Sequence, residues 1–178
     1  MNAAAAGAPA AEPPGPRSPE EDKVWRLLDD VTDPEIPVLT LADLGVLREV
    51  KVADRAVEVV ITPTYSGCPA MDTMAADIRQ RLAEAGYREV TVTTVLAPAW
   101  TTDWLSEAGR AKLNDYGIAP PAETSGSKAA LLGEEPVIAC PRCGSRDTEC
   151  LSLFGSTACK AQYRCRSCLE PFDYFKCI

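Results

Sequence analysis

Two CxxC pairs near the end of the sequence restrict its fold more than any other feature. Cys140-Pro141-Arg142-Cys143 is followed, after 21 residues, by Cys165-Arg166-Ser167-Cys168. Each pair places two sulfur atoms on one tight turn, and two such turns brought together supply the four thiolates that tetrahedral zinc requires. The same thiolates could hold iron, but zinc is the commoner metal for this arrangement. We therefore predict an all-β zinc ribbon over residues 136–178, in which the metal contributes folding free energy.

The remaining composition limits the chemistry of the chain. It has 8 cysteines and no histidine, which excludes Ser-His and Cys-His catalytic pairs and any histidine-ligated metal. Neither an export signal nor an apolar run long enough to span a bilayer is recognisable. We therefore expect a cytoplasmic protein that makes no membrane contact. In that reducing compartment, cysteines serve as metal ligands or reactive thiols more often than as disulfides.

The charge distribution argues against a nucleic-acid partner. The net charge of −8 belongs to residues 18–133, because residues 134–178 contain six acidic and six basic side chains. A protein that binds nucleic acid usually presents a basic surface to the phosphates, and the sequence shows none. A nucleic-acid-binding ribbon is therefore the least favoured alternative for the function.

Residues 18–118 are predicted to form an α+β domain. The predicted elements are a helix with a capping box at Ser18, a proline-rich loop over 32–45 with one helical turn, strands over 46–52 and 56–62, a helix from residue 69, a strand over 90–96, and a helix capped by Thr101 or Thr102 and ended by Gly117. This order predicts a small mixed sheet with helices packed on it. Segments rich in proline, glycine, serine and alanine predict a disordered tail over 1–17 and a linker over 119–135.

Cys68 lies where a predicted strand hands over to a predicted helix. Pro69 suits the first helical position, which puts Cys68 at or next to the N-cap. Unpaired N–H groups and the positive end of the helix dipole favour a thiolate, so the pKa of this thiol is predicted to lie below that of a free cysteine. Gly67 leaves room for a ligand or partner to approach. The alternative is that Cys68 is a small buried residue without a chemical role.

Three cysteines remain outside these patterns. If the second CxxC pair turns a hairpin centred near residue 168, Cys159 and Cys177 lie opposite each other on neighbouring strands. The two thiols could then oxidise, lend ligands to a second metal or simply pack, and packing is favoured. Cys150 shows no pattern and stays unassigned.

Several segments carry a resemblance to a known family: DPEIPVLTLADLGVL (33–47), TPTYSGCPAMDTM (62–74) and PAWTTDWLSEAGRAKLNDYGIAPP (98–121). They resemble the MIP18 family, also called DUF59, which is associated with iron–sulfur cluster assembly. The cysteine-rich ending is similar to the ribbon of its PaaD branch, the accessory proteins of the phenylacetyl-CoA epoxidase system in aerobic phenylacetate degradation. The resemblance covers about residues 20–178.

That resemblance implies a role in maturing or repairing the iron–sulfur or di-iron centres of a multicomponent monooxygenase, and no catalytic turnover of substrate. It makes Cys68 the functional thiolate, with Asp33 and Glu35 as its acidic motif. The partners it implies are the catalytic and reductase subunits of the epoxidase and the iron–sulfur assembly machinery. The alternative function is a non-catalytic structural or interaction subunit of the oxygenase complex. Thiol–disulfide exchange through Cys140 and Cys143 would require these thiols to be free of metal.

One cysteine cannot hold an iron–sulfur cluster, which takes about four protein ligands. If Cys68 binds a transient cluster or iron, the other ligands must come from a second subunit, a client protein or nearby carboxylates. Asp33, Glu35 and Asp72 are the candidates, although each is more commonly a cap or turn residue. A homodimer that brought two Cys68 side chains together would supply half of the ligands.

Overall fold

A computed structural model describes residues 17–121 and 137–176. The predicted tail, apart from Arg17, most of the predicted linker and Cys177 lie outside these residues. The described elements are α1 (Pro19–Leu28), β1 (Leu47–Ala53), β2 (Ala56–Ile61), α2 (Met71–Glu84), β3 (Glu89–Thr94), a 3₁₀ helix (Thr102–Trp104), α3 (Glu107–Tyr116), β4 (Ile118–Ala119), β5 (Thr148–Ser152), β6 (Lys160–Cys165) and β7 (Pro171–Phe175). No helix in the described part of the chain is long and apolar enough to cross a membrane.

The first sheet is mixed, as the sequence predicts. β1 and β2 pair as an antiparallel hairpin, and β3 pairs parallel to β2 after the α2 crossover. Alternate residues of β2, Val57, Val59 and Ile61, are buried in one core together with apolar side chains of α1 and α2. α1 packs on α2 and β1, and α2 packs on β3. The fold is therefore α+β, with helices packed on a small mixed sheet.

Capping residues set two of the helix boundaries. The Ser18 capping box forms as predicted, with Glu21 N–H donating to Ser18 Oγ at 3.2 Å and Ser18 N–H donating to Glu21 Oε2 at 2.7 Å. The helix predicted to start at Thr101 or Thr102 is instead divided. Leu105 adopts an extended backbone after the 3₁₀ helix, and Ser106 caps α3 by accepting the Gly109 N–H at 2.8 Å.

The start of α2 differs from the prediction by about two residues. Ala70 is the N-cap, so Pro69 is not the first helical residue and Cys68 lies two residues before the cap. The physical reason is a separate turn, in which the Cys68 N–H donates to the Tyr65 carbonyl at 3.2 Å. The first helical bond then runs from the Met74 N–H to the Ala70 carbonyl at 2.9 Å. The Cys68 thiol consequently lies in the loop that precedes the helix.

The second sheet has the strand order β4-β7-β6-β5 and includes a segment from outside the ribbon. β4 follows α3 directly and pairs parallel with β7, Ile118 opposite Asp173 and Ala119 opposite Tyr174. Ala119, the first residue of the predicted linker, therefore lies in a strand.

The β6–β7 register differs by one residue from the predicted one. Lys160 pairs with Phe175 and Arg164 with Pro171, so six residues separate the paired ends and the turn is centred between residues 167 and 168. The Lys176 N–H accordingly donates to the Cys159 carbonyl at 3.0 Å. The predicted opposition of Cys159 and Cys177 rested on the other register.

The ribbon packs directly on the first domain. Phe175 is 1% exposed and belongs, with Cys159, to the core formed by the first domain. Its ring meets that of Trp100 edge to face, with 6.0 Å between centroids. Trp100 is itself fixed by its indole N–H, which donates to the Leu44 carbonyl at 2.7 Å. The start of β6 and the end of β7 are thereby held beside the proline-rich loop.

Candidate metal centre and cysteine site

The structure brings the four ribbon cysteines together. The sulfur atoms of Cys140 and Cys168 are 3.8 Å apart, those of Cys143 and Cys165 are 3.6 Å apart, and all four lie within 4.8 Å of one another. Zinc–sulfur bonds of about 2.3 Å at tetrahedral angles require sulfur–sulfur separations of about 3.8 Å. The four thiols therefore fit a structural zinc ion.

Backbone N–H groups favour thiolates at this centre. The Arg142 N–H donates to Cys140 Sγ at 3.4 Å, and the Cys168 N–H donates to Cys165 Sγ at 3.5 Å. The bond from Cys168 is the largest influence lowering the pKa of Cys165, to about 6. Gly144, at φ 73°, closes the first turn. Zinc binds thiolates, so these turns prepare the ligands in the form that the metal needs.

Cys68 is half-buried in the loop between β2 and α2. Burial is the main influence on its thiol, and it raises the pKa. The Ala70 N–H bonds to the sulfur and opposes this effect, but the carboxylates of Glu35 and Asp33 raise the pKa further. The predicted acidic thiol is therefore wrong, because burial and like charge outweigh the single backbone N–H that reaches the sulfur.

Tyr65 is a neighbour of Cys68 that sequence reasoning missed. Its hydroxyl hydrogen bonds to the Cys68 sulfur. Burial, followed by the charges of Cys68, Glu35 and Cys159, raises the pKa of the phenol to about 12. Tyr65 thus keeps its proton at neutral pH and can donate it in a hydrogen bond to a Cys68 thiolate.

The acidic motif is folded into a turn beside the thiol. Asp33 Oδ1 accepts the N–H groups of Glu35 at 2.6 Å and Ile36 at 2.7 Å, so Asp33 orders the loop. It is buried, and burial raises its pKa despite these bonds. Burial also raises the pKa of Glu35, and the Asp33 charge adds to that effect. Asp72 is exposed in the first turn of α2.

The ribbon adds Cys159 and Lys160 to this site. Cys159 Sγ lies 3.9 Å from Glu35 Oε2 and 3.0 Å from Thr157 Oγ1. The charges of Glu35, Asp33 and Cys68 all act on the Cys159 thiol. We call the set Asp33, Glu35, Tyr65, Cys68 and Cys159 the interdomain cysteine site.

Lys160 supplies a buried positive charge next to this site. Its side chain is 8% exposed, its ammonium lies 3.2 Å from Asp173 Oδ2, and its charge acts on both Asp33 and Glu35. The single spare cysteine in the stretch before β6 was the only sequence signal for these contacts. Its neighbours depend on docking between segments 124 residues apart.

Comparisons with known proteins agree with this division of sites. Residues 21–95 match the family model described as iron-sulfur cluster assembly protein, and residues 124–176 match the model of the PaaD zinc beta ribbon domain. A DUF59 domain of unknown function from Bacillus anthracis, known as a crystal structure, superposes with a TM-score of 0.50 at 25% identity. That superposition covers 52% of this chain and 90% of that one.

Two curated relatives extend the comparison. An Escherichia coli (strain K12) protein, whose name describes it as a subunit of 1,2-phenylacetyl-CoA epoxidase, is 50% identical over 160 residues, which is 90% of this chain and 94% of that protein. The "Fe-S protein maturation auxiliary factor" of Porphyromonas gingivalis (strain ATCC BAA-308 / W83) is 37% identical over 95 residues, 52% of this chain and 90% of that protein.

Fold and site together define a class of protein, a DUF59-type α+β domain that carries a C-terminal zinc ribbon. The identity extends through both parts of the chain and almost the whole length of the Escherichia coli relative. The chain belongs to the PaaD family.

Proposed function

We propose that this protein is a cytoplasmic, non-catalytic factor that assembles or matures the metal centres of phenylacetyl-CoA epoxidase in aerobic phenylacetate degradation. Cys68 is its working thiolate, with Asp33 and Glu35 as helpers, and the zinc ribbon carried by Cys140, Cys143, Cys165 and Cys168 is a docking module. Its partners are the catalytic and reductase subunits of the epoxidase and the iron–sulfur assembly machinery. A transient iron–sulfur cluster or iron is its cargo.

The observation that carries this proposal is the location of the thiol. Cys68 and the carboxylate pair lie within residues 21–95, the part that matches the cluster-assembly family, while residues 124–176 match the PaaD ribbon. Cys68 is partly exposed, and a Cβ atom placed on Gly67 would meet nothing closer than Tyr65 Cε2 at 4.0 Å. A thiol that must receive and release metal needs this access, which an enclosed structural site lacks.

The same arrangement supports a division of the chain. We propose a tail over 1–17, a MIP18/DUF59-like domain over 18–118, a linker over 119–135 and the ribbon over 136–178. The pairing of β4 with β7 adjusts the first boundary of that linker, because Ala119 is already part of the ribbon sheet. A homodimer through Cys68 also stays a prediction.

The second candidate is a structural subunit of the oxygenase, which the word "subunit" in the name of the Escherichia coli relative favours. An assembly factor acts before turnover, whereas a subunit is needed during it. We therefore suggest purifying the epoxidase complex from cells with and without this chain. We expect the complex made without the chain to form but to lack iron, and a mature complex to keep its activity after the chain is stripped away.

Two results would favour the subunit instead. One is full iron content in the complex made without the chain. The other is loss of activity when the chain is removed from a mature, metal-loaded complex and recovery when it is added back.

A further inference from the structure

We infer that Cys159, a ribbon residue, is the second thiolate ligand of the iron that Cys68 receives, so that the two domains of one chain share the binding site. The inference rests on the proposed function and deepens it. It names the source of a ligand that a lone Cys68 lacks, and that source is neither a client protein nor a second copy of this chain.

The position of Cys159 carries the inference. Its sulfur lies 3.9 Å from Glu35 Oε2, and Cys68 is close enough for its charge to act on the Cys159 thiol. Glu35 therefore stands between two sulfurs that come from different domains. Two thiolates and one carboxylate form a ligand set suited to iron, with coordination positions left for sulfide or a client ligand.

The surroundings distinguish this arrangement from simple packing of a spare cysteine. A buried thiol that only packs prefers apolar neighbours, because its S–H is a weak donor. Cys159 instead meets the Thr157 hydroxyl at 3.0 Å and the Glu35 carboxylate, and the buried ammonium of Lys160 follows it in the chain. This environment contains groups that can take up a proton and offset negative charge when a cation binds two thiolates.

The interdomain site is more open than the ribbon centre. Among the described residues, the four ribbon cysteines form the group whose ligand atoms all lie within 4.8 Å. Cys68 and Glu35 are both partly exposed, so their side chains can rotate towards the fixed, buried Cys159 sulfur. A site that closes only around its ion is suited to cargo that must later leave.

The test is anaerobic binding of Fe²⁺, with and without sulfide, to the full chain already loaded with zinc. We expect about one iron site per chain, and X-ray absorption should show two sulfur ligands without sulfide. Cys159→Ser and Cys68→Ser should each weaken iron binding by at least about tenfold, since even indirect partners of a metal change affinity by about 10- to 100-fold. Zinc content should not change. Cys150→Ser, which removes an exposed cysteine on β5, is the matched control and should bind as the parent does.

Several outcomes separate this inference from the proposed function. One sulfur ligand in the parent protein, or normal iron binding by Cys159→Ser, would overturn the inference while leaving Cys68 its role. No iron bound by the parent, with normal epoxidase maturation by Cys68→Ser, would overturn both. If Cys159→Ser loses zinc or melts early, the sulfur count at iron in the parent and in Cys68→Ser decides, and the count should fall from two to one.

Discussion

At the scale of single residues, Gly45 shows how a backbone position fixes the loop that carries the acidic motif. Its φ is +67°, and a Cβ atom there would lie 2.5 Å from the Trp104 carbonyl oxygen and 2.6 Å from Trp104 Cβ. Gly45→Ala should therefore lower the free energy of unfolding by about 2–4 kcal/mol, through overpacking and left-handed strain. Urea unfolding followed by tryptophan fluorescence measures this change.

Gly86→Ala is the matched control for that substitution. Gly86 also has a left-handed φ, +93°, but nothing lies within 4 Å of the added Cβ. It should cost only about 1–2 kcal/mol, the strain alone. Equal losses at the two positions would show that the contact with Trp104 is unimportant.

Asp43 ties the same loop to α3 by charge. It accepts hydrogen bonds from Lys112 Nζ at 2.6 Å, Ser106 Oγ at 3.0 Å and the Thr40 N–H at 3.2 Å. Burial raises its pKa, but these bonds outweigh burial and hold the pKa below the ordinary value of 3.8. Asp43→Asn should lower the free energy of unfolding at pH 7 by about 1–2 kcal/mol, with the Lys112 contribution partly screened by solvent.

The pH dependence of this loss has a definite sign. Because the folded pKa is lower than the unfolded one, ionised Asp43 stabilises the fold above pH 3.8, and the stabilisation disappears as the pH falls through the folded pKa. The difference between Asp43→Asn and the parent should therefore shrink below pH 3.8. Asp77→Asn, an exposed position on α2, should show little effect at either pH. A constant difference down to low pH would mean that the Asp43 charge is not responsible.

At the scale of elements, the parts that depend on local signals were predictable. The Ser18 capping box and the Gly117 helix stop use residues within one turn of each other, and both form as predicted. The spacing of the two CxxC pairs likewise requires two tight turns, and the four sulfurs meet. The start of α2 was placed too early, because the turn closed by the Cys68 N–H and the Tyr65 carbonyl competes with the helix and leaves no clear mark in the sequence.

The ribbon is the element whose stability should depend on metal. Its sheet buries a small cluster around Ile138, Phe172 and Tyr174, too little to fold without further support. Cys165→Ser should lose the single zinc ion and make residues 137–176 sensitive to protease, because metal binding supplies folding free energy. Zinc analysis and limited proteolysis check this.

Cys150→Ser serves again as the control, and it should keep about one zinc per chain. A ribbon that stays protease-resistant after zinc is removed would contradict the structural role of the metal.

At the scale of the whole molecule, the docking of the ribbon on the first domain should control access to Cys159. Phe175 fills the junction against Trp100. Phe175→Ala should open the junction and expose the Cys159 thiol to alkylation while the zinc stays bound, because the four ligands lie at the other end of the hairpin. Mass spectrometry of alkylated peptides reads this out.

Phe175→Leu, which keeps most of the apolar volume, should leave Cys159 largely protected. An unchanged labelling rate in Phe175→Ala would mean that the junction does not depend on this ring.

The interdomain cysteine site lies beyond what sequence patterns can predict. Asp33, Glu35 and Cys68 were identified through family resemblance, and their local order follows from turns in the first domain. Cys159 reaches them only because the ribbon packs on that domain through contacts between residues far apart in sequence. The acidity of Cys68 was wrong for the same reason, since burial and distant carboxylates determine its pKa more than its helix does.

The central claim is that the Cys68 sulfur is needed to load metal into the epoxidase. Serine at position 68 keeps a side chain that can accept the Ala70 N–H but removes the soft ligand. Iron and acid-labile sulfide should be measured on the epoxidase and its reductase, purified from cells that produce Cys68→Ser or the Cys150→Ser control. The account predicts an assembled complex with depleted metal and no growth on phenylacetate for Cys68→Ser, with ribbon zinc unchanged. Full metal content and normal growth with Cys68→Ser would contradict it.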